Sequence, residues 1–187
     1  FIRLVGNSRG SGTQFFMLLG GNGLGKTTTE GNLLANVIYG SEMTNPWFED
    51  CALFRNWPFE KRAFILAEPS SLEKGAITGM FKKWMIPNTY TATKGSQKFE
   101  SEFHFPAYGW DVLAYSFEQD PQKMAGDTIG LLIFDEPIPT GLWGEVVARL
   151  RGTGVVVGSM TPLGAAPYVH EKFEERPDDW HFVKGHV

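Results

Sequence analysis

Short apolar runs recur along the chain, and each ends at a glycine or at polar residues. The strands that they predict cover residues 15–19, 63–67, 111–117, 129–135 and 154–158, with a last strand near 181–183. The run IGLLIFD does not alternate, which is typical of a strand buried on both faces of a parallel sheet. Helical periodicity lies between these runs, over 26–39, from Ser70 or Ser71 to Pro87, from Thr140 to Gly152, and over 167–175. This order predicts an α/β domain whose central, mostly parallel sheet has helices on both faces.

Two segments lack this regular pattern. Residues 1–14 are rich in Gly, Ser and Asn, and they are predicted to form a loop or a frayed strand before the first core strand. Residues 41–61 form an aromatic-rich connection, whose tryptophans are expected to pack rather than to bind a ligand. Neither segment carries a candidate site.

Residues 88–109 alternate in a different way, with phenylalanines at every second position near the end. This alternation predicts an antiparallel ribbon or edge strands with a turn near Gly95. Lys94 and Lys98 flank that turn. They either contact a nucleic-acid phosphate backbone or belong to a solvated hairpin tip, and the residues alone favour the tip.

A glycine-rich segment follows the first apolar run and precedes the first helix. It reads GGNGLGKT and fits G-x-x-x-x-G-K-[ST] in the strand-then-helix context that this motif requires. Backbone N–H groups of such a loop surround the β-phosphate, the lysine reaches the β- and γ-phosphates, and the threonine hydroxyl serves Mg²⁺. The alternative is a glycine-rich turn before an ordinary helix. The predicted nucleotide-binding residues are Gly20, Gly21, Asn22, Gly23, Leu24, Gly25, Lys26, Thr27 and Thr28.

Two adjacent carboxylates, Asp135 and Glu136, end the buried run IGLLIFD. Ligands of open α/β sheets bind at the carboxyl ends of the strands, so these side chains are expected to face the glycine-rich loop. Asp135 is predicted to hold Mg²⁺ together with Thr27, while Glu136 orients and deprotonates the water that attacks the γ-phosphate. The alternative for an isolated Asp-Glu pair is a solvated strand end. Together with Lys26, the pair predicts Mg²⁺-dependent ATP hydrolysis.

The strand 154–158 leads into Ser159, Met160 and Thr161. In P-loop proteins with a catalytic glutamate, this strand is inserted between the P-loop strand and the acidic strand. A hydroxyl at its end can therefore sense the γ-phosphate and couple hydrolysis to motion. A simple Thr-Pro turn is the alternative. We therefore expect the P-loop NTPase fold of the additional-strand, catalytic-glutamate type.

Composition excludes some classes of function. The chain has 187 residues, enough for one α/β domain but not for two. Its net charge of −4 excludes a protein that coats DNA with its whole surface. Cys51 is the single cysteine, so no internal disulfide forms. No apolar segment reaches the length of a membrane span, and no membrane partner is expected.

Three segments together resemble a known family. GGNGLGKTTTEGN, FEQDPQKMAGDTIGLLIFDEP and VVVGSMTPLGAAPYVHEKF are similar, in order and spacing, to the ATPase domain of tailed-bacteriophage terminase large subunits, over about residues 15–185. The resemblance implies that ATP hydrolysis drives double-stranded DNA into a procapsid. It also implies a portal protein, a small terminase subunit and a homo-oligomeric ring, a pentamer, as partners in the host cytoplasm during virus assembly.

The resemblance also implies roles for individual residues and shows departures from the family pattern. Lys26 and Glu136 are the implied catalytic residues, Thr27 and Asp135 serve Mg²⁺, and residues 159–161 form the coupling motif. Many terminases have an arginine inside the P-loop, and this chain has none there. A charge-stabilising residue, or finger, must then come from elsewhere in the chain or from a neighbouring subunit. The candidates are Arg149, Arg151 and Lys123. The adenine-recognising segment, usually upstream of the P-loop, is expected to be truncated. Residues 1–187 are expected to be a single ATPase domain without the family's nuclease domain.

Other classes of protein share parts of this pattern. A helicase-type translocase more often shows DE-x-H or DE-x-D, whereas Glu136 is followed by Pro137 and Ile138. A P-loop kinase of small molecules usually lacks the adjacent carboxylates and has an arginine-rich lid. A nucleotide switch without turnover does not need Glu136. The packaging ATPase is the preferred interpretation.

Overall fold

The computed structural model describes residues 1–8, 10, 12–21, 23–42, 48, 50–95, 97–161 and 166–185. The strands are β1 Thr13–Leu19, β2 Arg62–Ala67, β3 Thr91–Thr93, β4 Glu102–Phe105, β5 Trp110–Ser116, β6 Leu131–Asp135, β7 Gly154–Met160 and β8 Trp180–Lys184. The helices are α1 Ile2–Gly6, α2 Lys26–Tyr39, α3 Ala52–Arg55, α4 Pro69–Glu73, α5 Ala76–Trp84, α6 Thr140–Val147 and α7 Pro167–Glu175. Short 3₁₀ turns cover Gly40–Glu42, Pro121–Met124 and Ala148–Leu150.

These strands form one sheet in the order β3-β4-β5-β2-β6-β7-β1-β8. All neighbours from β5 to β8 in this order are parallel, and β3 and β4 are antiparallel to their neighbours. β7 lies between the acidic strand β6 and the P-loop strand β1, which confirms the additional-strand P-loop fold. Its register places Ser159 beside Asp135 and Met160 beside Leu19.

The sheet is buried on both faces. Successive residues of β6 alternate between the two cores: Ile133 packs on the face covered by α2 and α5, while Leu132 and Phe134 pack on the face covered by α6 and α7. All three side chains have 0% exposure. The unbroken apolar run in the sequence therefore reflects burial on two sides, as expected for a parallel sheet.

The helix that follows the P-loop has its predicted bounds. Gly40, with φ of 55°, ends α2, because glycine adopts this left-handed backbone without steric cost. The predicted helix from Ser70 to Pro87 is instead divided into α4 and α5, since Gly75 has φ of 80°. Glu68 and Pro139 precede α4 and α6, so the predicted caps by Ser70 or Ser71 and by Thr140 are wrong.

Two short helices occur where none was predicted. α1 lies within the expected loop 1–14, and Val5 is fully buried against the core that contains Cys51 and Phe54. α3 lies within the connection 41–61, where Trp57 packs on Trp110 as expected for a packing role. Helices this short depend on tertiary contacts rather than on local propensity. Part of this connection, including Pro46 and Trp47, lies outside the described residues.

The ribbon is antiparallel, as predicted, with Ala92 opposite Phe103. Gly95, with φ of 52°, lies in the connection between β3 and β4. Lys94 and Lys98 are exposed there, as expected for a solvated hairpin tip, and their contact with nucleic acid stays the untested alternative.

Candidate active site

The carboxyl ends of β1, β6 and β7 bring together the site residues that are far apart in sequence. At the end of β1, the Gly20 N–H donates to the Met160 carbonyl of β7 at 3.1 Å. Gly23 and Gly25 have φ of 84° and 73°, so the loop turns into α2 through left-handed backbone that glycine adopts freely. Asn22 lies outside the described residues. The loop is thus positioned by the neighbouring strand.

Lys26 is buried, with 8% exposure, at the first turn of α2. Its Nζ donates to the Gly20 carbonyl at 3.2 Å and to the Thr161 Oγ1 at 2.9 Å. The same Nζ lies 3.5 Å from the Oε1 of Glu136. The ammonium group therefore joins the P-loop to the ends of both β6 and β7.

The Thr27 hydroxyl and the Asp135 carboxylate lie next to each other in the site. The Thr27 Oγ1 donates to the Asp135 Oδ2 at 2.9 Å, and the Ser159 Oγ donates to the Asp135 Oδ1 at 3.1 Å. Mg²⁺ prefers oxygen ligands and is held by one or two carboxylates plus substrate phosphates rather than by a complete protein cage. Accordingly, the described residues contain no cluster of three or more metal-binding side chains. A hydroxyl beside one carboxylate fits a nucleotide-bound Mg²⁺.

Glu136 has an unusual backbone. Its φ is 71°, a region that costs a non-glycine residue about 1–2 kcal/mol. Its N–H donates to the Ser159 carbonyl at 2.8 Å, and its carboxylate accepts from the Thr161 N–H at 3.0 Å and from the Thr161 Oγ1 at 2.8 Å. Strained residues held in this way are concentrated at functional sites.

The other predicted residues of the site are distributed around this centre. Ser159 has 0% exposure and faces Asp135, whereas Met160, with 2% exposure, packs into the core beside α6 and α7. Thr28 is exposed on α2. Of the three predicted coupling residues, all of which the structure describes, Ser159 and Thr161 are the two whose side chains contact the carboxylates.

The comparisons with known proteins agree with this arrangement. The family model described as "Terminase large subunit, T4likevirus-type, N-terminal" matches residues 17–185. The chain belongs to this terminase family. No curated protein matches the sequence of this terminase.

Solved structures resemble this terminase at low sequence identity. The large terminase of a thermophilic bacteriophage is 14% identical, with a TM-score of 0.58 over 91% of this chain and 40% of that one. The HK97 bacteriophage large terminase is 13% identical, with a TM-score of 0.64 over 92% and 35%. The Hef helicase domain of Pyrococcus furiosus is 11% identical, with a TM-score of 0.54 over 99% and 38%. The thermophilic-phage terminase is also known with ADP and with ATP-γ-S. These similarities show the fold, and this chain spans 35–40% of the length of those proteins.

Glu30 is a residue of this terminase site that sequence reasoning missed. It lies four residues after Lys26 on α2 and is 2% exposed, and its Oε1 has no hydrogen-bond partner among the described residues. Burial raises the pKa of its carboxyl well above the ordinary value of 4.5, and the nearby Asp135 carboxylate raises this pKa further. Residues four apart share a helix face. The sequence contained this signal, because a helix that turns Lys26 toward the sheet also turns Glu30 toward it.

Two of the three proposed finger residues, Arg149 and Arg151, lie far from the site of their own chain. The Arg149 carbonyl accepts from the Ile129 N–H at 3.0 Å, just before β6, and Arg151 precedes β7. Both lie at the amino ends of the strands, about 20 Å from the P-loop for a strand of this length, so a role in cis is excluded. Lys123 is exposed in a 3₁₀ turn.

Within the part of the chain that the structure describes, we find no helix with the length and apolar character of a membrane span.

Proposed function

We propose that this chain is the Mg²⁺-dependent ATPase domain of a motor that moves double-stranded viral DNA into a procapsid. The observation that carries the proposal is the position of Glu136, whose carboxylate is held by Thr161 beside the P-loop residue Lys26. Family membership and the solved complexes of the thermophilic-phage terminase with ADP and ATP-γ-S support the same conclusion.

Each residue has a defined task in this proposal. Lys26 binds the β- and γ-phosphates as a mobile positive charge, and Glu136 accepts the proton of the water that attacks the γ-phosphorus. The bond between the γ-phosphorus and the bridging oxygen then breaks, which gives ADP and inorganic phosphate. Thr27 and Asp135 would hold Mg²⁺, which neutralises charge on the phosphate oxygens when it is bound.

Thr161 connects the chemistry to motion. It contacts both Lys26 and Glu136, so a change in either contact reaches the end of β7 directly. The chain then continues through residues 162–165 to α7. A terminal phosphate that attracts Lys26 would alter the bonds of Thr161, and that change is the proposed start of the power stroke.

Several partners belong to the proposal. We infer that the domain acts in a homo-oligomeric ring, a pentamer, on a portal protein, and that a small terminase subunit helps to engage the DNA. In this proposal a ring neighbour supplies the charge-stabilising finger; of the three candidates in this chain, Arg149 and Arg151 lie at the opposite edge of their own sheet. Assembly takes place in the host cytoplasm. Residues 1–187 contribute the ATPase domain.

A helicase-type translocase is the second candidate, favoured by the structural similarity to the Hef helicase domain. ATP turnover by the full-length protein separates the two, measured with and without procapsids and linear duplex DNA. A packaging motor turns over ATP fastest when both are present, and the DNA becomes resistant to nuclease. Stimulation by free single strands without procapsids would establish the helicase function instead.

A further inference from the structure

Three polar side chains meet where α2 packs on the ends of β6 and β7. The Ser159 Oγ donates to the Asp135 Oδ1 at 3.1 Å, and the Ser159 hydroxyl is also in hydrogen-bond contact with the Glu30 carboxyl. Ser159 has 0% exposure and Glu30 has 2%, so both contacts are shielded from solvent. Ser159 therefore lies between a carboxyl group of α2 and the carboxylate that is proposed to hold Mg²⁺.

The direction of these two contacts follows from the number of protons available. A serine hydroxyl has one proton and two acceptor positions. Because Ser159 donates its proton to Asp135, the contact with Glu30 is satisfied when Glu30 donates and Ser159 accepts. Burial and the nearby Asp135 carboxylate raise the pKa of Glu30 well above 4.5, which agrees with a carboxyl group that keeps its proton.

The burial of Glu30 carries a cost in stability that has no compensation within the fold. Its Oε1 has no hydrogen-bond partner in the part of the chain that the structure describes, and a buried polar group without a partner is unfavourable. An apolar side chain of the same length would suit this helix face better. Local departures of this kind are found mainly at functional sites. The position of Glu30 beside Ser159 indicates what that function is.

We propose that Glu30 is a positioning residue, which holds the Ser159 hydroxyl and through it the Asp135 carboxylate in the orientation that Mg²⁺ binding needs. The inference rests on the proposed function. With Oδ1 fixed by Ser159, the Asp135 Oδ2 stays beside the Thr27 hydroxyl, 2.9 Å away. A hydroxyl that accepts one hydrogen bond also donates more strongly. Partners of this outer kind orient metal ligands, and their loss typically lowers metal affinity 10–100-fold.

The test measures Mg²⁺ binding apart from turnover, in the full-length protein with a fluorescent ATP analogue that is not hydrolysed. In Glu30→Met, which has a side chain of similar length but no donor, the Mg²⁺ concentration for half-maximal binding should rise about tenfold. In Glu30→Gln the amide N–H can still donate to Ser159, so the midpoint should stay at the wild-type value. Affinity for the analogue in EDTA should be equal in all three proteins, because the P-loop is unchanged.

A double-mutant cycle shows whether Glu30 acts through Ser159. Ser159→Ala alone should raise the Mg²⁺ midpoint, and Glu30→Met added to it should raise the midpoint no further. Asn36→Leu is the matched control, since Asn36 is also 2% exposed on α2 but bonds to Asn32 within the helix. It should leave the midpoint unchanged. Urea unfolding shows which variants fold, and Glu30→Leu takes the place of Glu30→Met if the latter does not.

Several outcomes would overturn this inference and leave the proposed ATPase function intact. These are a wild-type midpoint in the folded Glu30→Met variant, equal rises in Glu30→Met and Glu30→Gln, a rise of the same size in Asn36→Leu, and independent effects of the Glu30 and Ser159 substitutions in the cycle. If the wild type binds the analogue at no Mg²⁺ concentration, the ATPase proposal itself fails, and this inference fails with it.

Discussion

Thr161 holds the carboxylate of Glu136 through both its backbone N–H and its hydroxyl, at 3.0 Å and 2.8 Å. The same hydroxyl accepts from the Lys26 Nζ at 2.9 Å. One side chain at the end of β7 thereby connects the proposed general base to the phosphate-binding lysine. The proposed coupling residue and the proposed catalytic residues therefore share one set of hydrogen bonds.

Removing the Thr161 hydroxyl should lower the rate of ATP hydrolysis more than it weakens nucleotide binding. In Thr161→Val the N–H still contacts Glu136, but the hydroxyl bonds to Glu136 and Lys26 are lost. We expect kcat to fall about 10–100-fold, since a general base contributes roughly 10²–10⁴-fold and is here misplaced rather than removed. Nucleotide affinity should change little. Thr161→Ser keeps the hydroxyl and should restore turnover, as measured by steady-state ATPase kinetics. Equal loss in both variants would contradict a role for the hydroxyl.

Substitutions of Lys26 and Glu136 should have different effects on nucleotide binding and on ATP hydrolysis. Both Lys26→Ala and Glu136→Ala should lose Mg²⁺-dependent ATPase activity, the second by roughly 10²–10⁴-fold. Nucleotide binding should survive only in Glu136→Ala, because the proposed role of the lysine is to bind the phosphates and that of the glutamate is to activate the attacking water. Equilibrium binding of a fluorescent ATP analogue distinguishes the variants. Full turnover in Glu136→Ala would show that the water-activating role is misassigned.

The backbone of Glu136 predicts a difference in stability between two inactive variants. At φ of 71° an alanine keeps the steric cost, whereas a glycine removes it. Glu136→Gly should therefore resist urea unfolding by about 1 kcal/mol more than Glu136→Ala. Both variants lose the same carboxylate contacts, so each serves as the control for the other. If Glu136→Ala is as stable as Glu136→Gly, the strain at this position does not exceed the entropic cost of ordering a glycine.

The buried carboxyl of Glu30 predicts a pH-dependent loss of stability. Below its ordinary pKa of 4.5, folded and unfolded chains are both protonated, and the group has no effect. Above that pH the unfolded chain releases the proton while the folded chain, with its raised pKa, retains it. Stability therefore falls as the pH rises toward the folded pKa, by up to about 1.4 kcal/mol per pH unit.

Glu30→Gln removes this titration. The variant should be as stable as the wild type below pH 4.5 and increasingly more stable as the pH rises above 4.5. Urea unfolding in EDTA, without nucleotide, measures the difference. Glu174→Gln, which removes a carboxyl at an exposed position of α7, is the matched control, and the comparison of the two variants isolates the effect of the buried position. A flat difference for Glu30→Gln would mean that the buried group titrates normally.

The site residues that could be predicted from the sequence are those marked by a local sequence pattern. The P-loop is contiguous, and Asp135 and Glu136 end an apolar run whose topology follows from the parallel sheet. The contact between Glu136 and Thr161 joins residues 25 positions apart, and it depends on the register between β6 and β7. The burial of Glu30 depends on which face of α2 meets the sheet. Tertiary packing also stabilises α1, which the local pattern did not predict, whereas the break between α4 and α5 follows from the left-handed backbone of Gly75.

Thr27 and Asp135 predict how Mg²⁺ dependence responds to mutation. In Thr27→Val the hydroxyl that contacts the Asp135 Oδ2 at 2.9 Å is lost, so the Mg²⁺ concentration that supports half-maximal ATP binding should rise about 10–100-fold. Thr27→Ser keeps the oxygen and should restore the wild-type midpoint. Thr29→Val is the matched control, because the Thr29 hydroxyl donates to the Gly25 carbonyl instead. Titration of Mg²⁺ against a fluorescent ATP analogue gives all midpoints. A shift in Thr29→Val equal to that in Thr27→Val would indicate a general loss of P-loop structure rather than loss of a metal ligand.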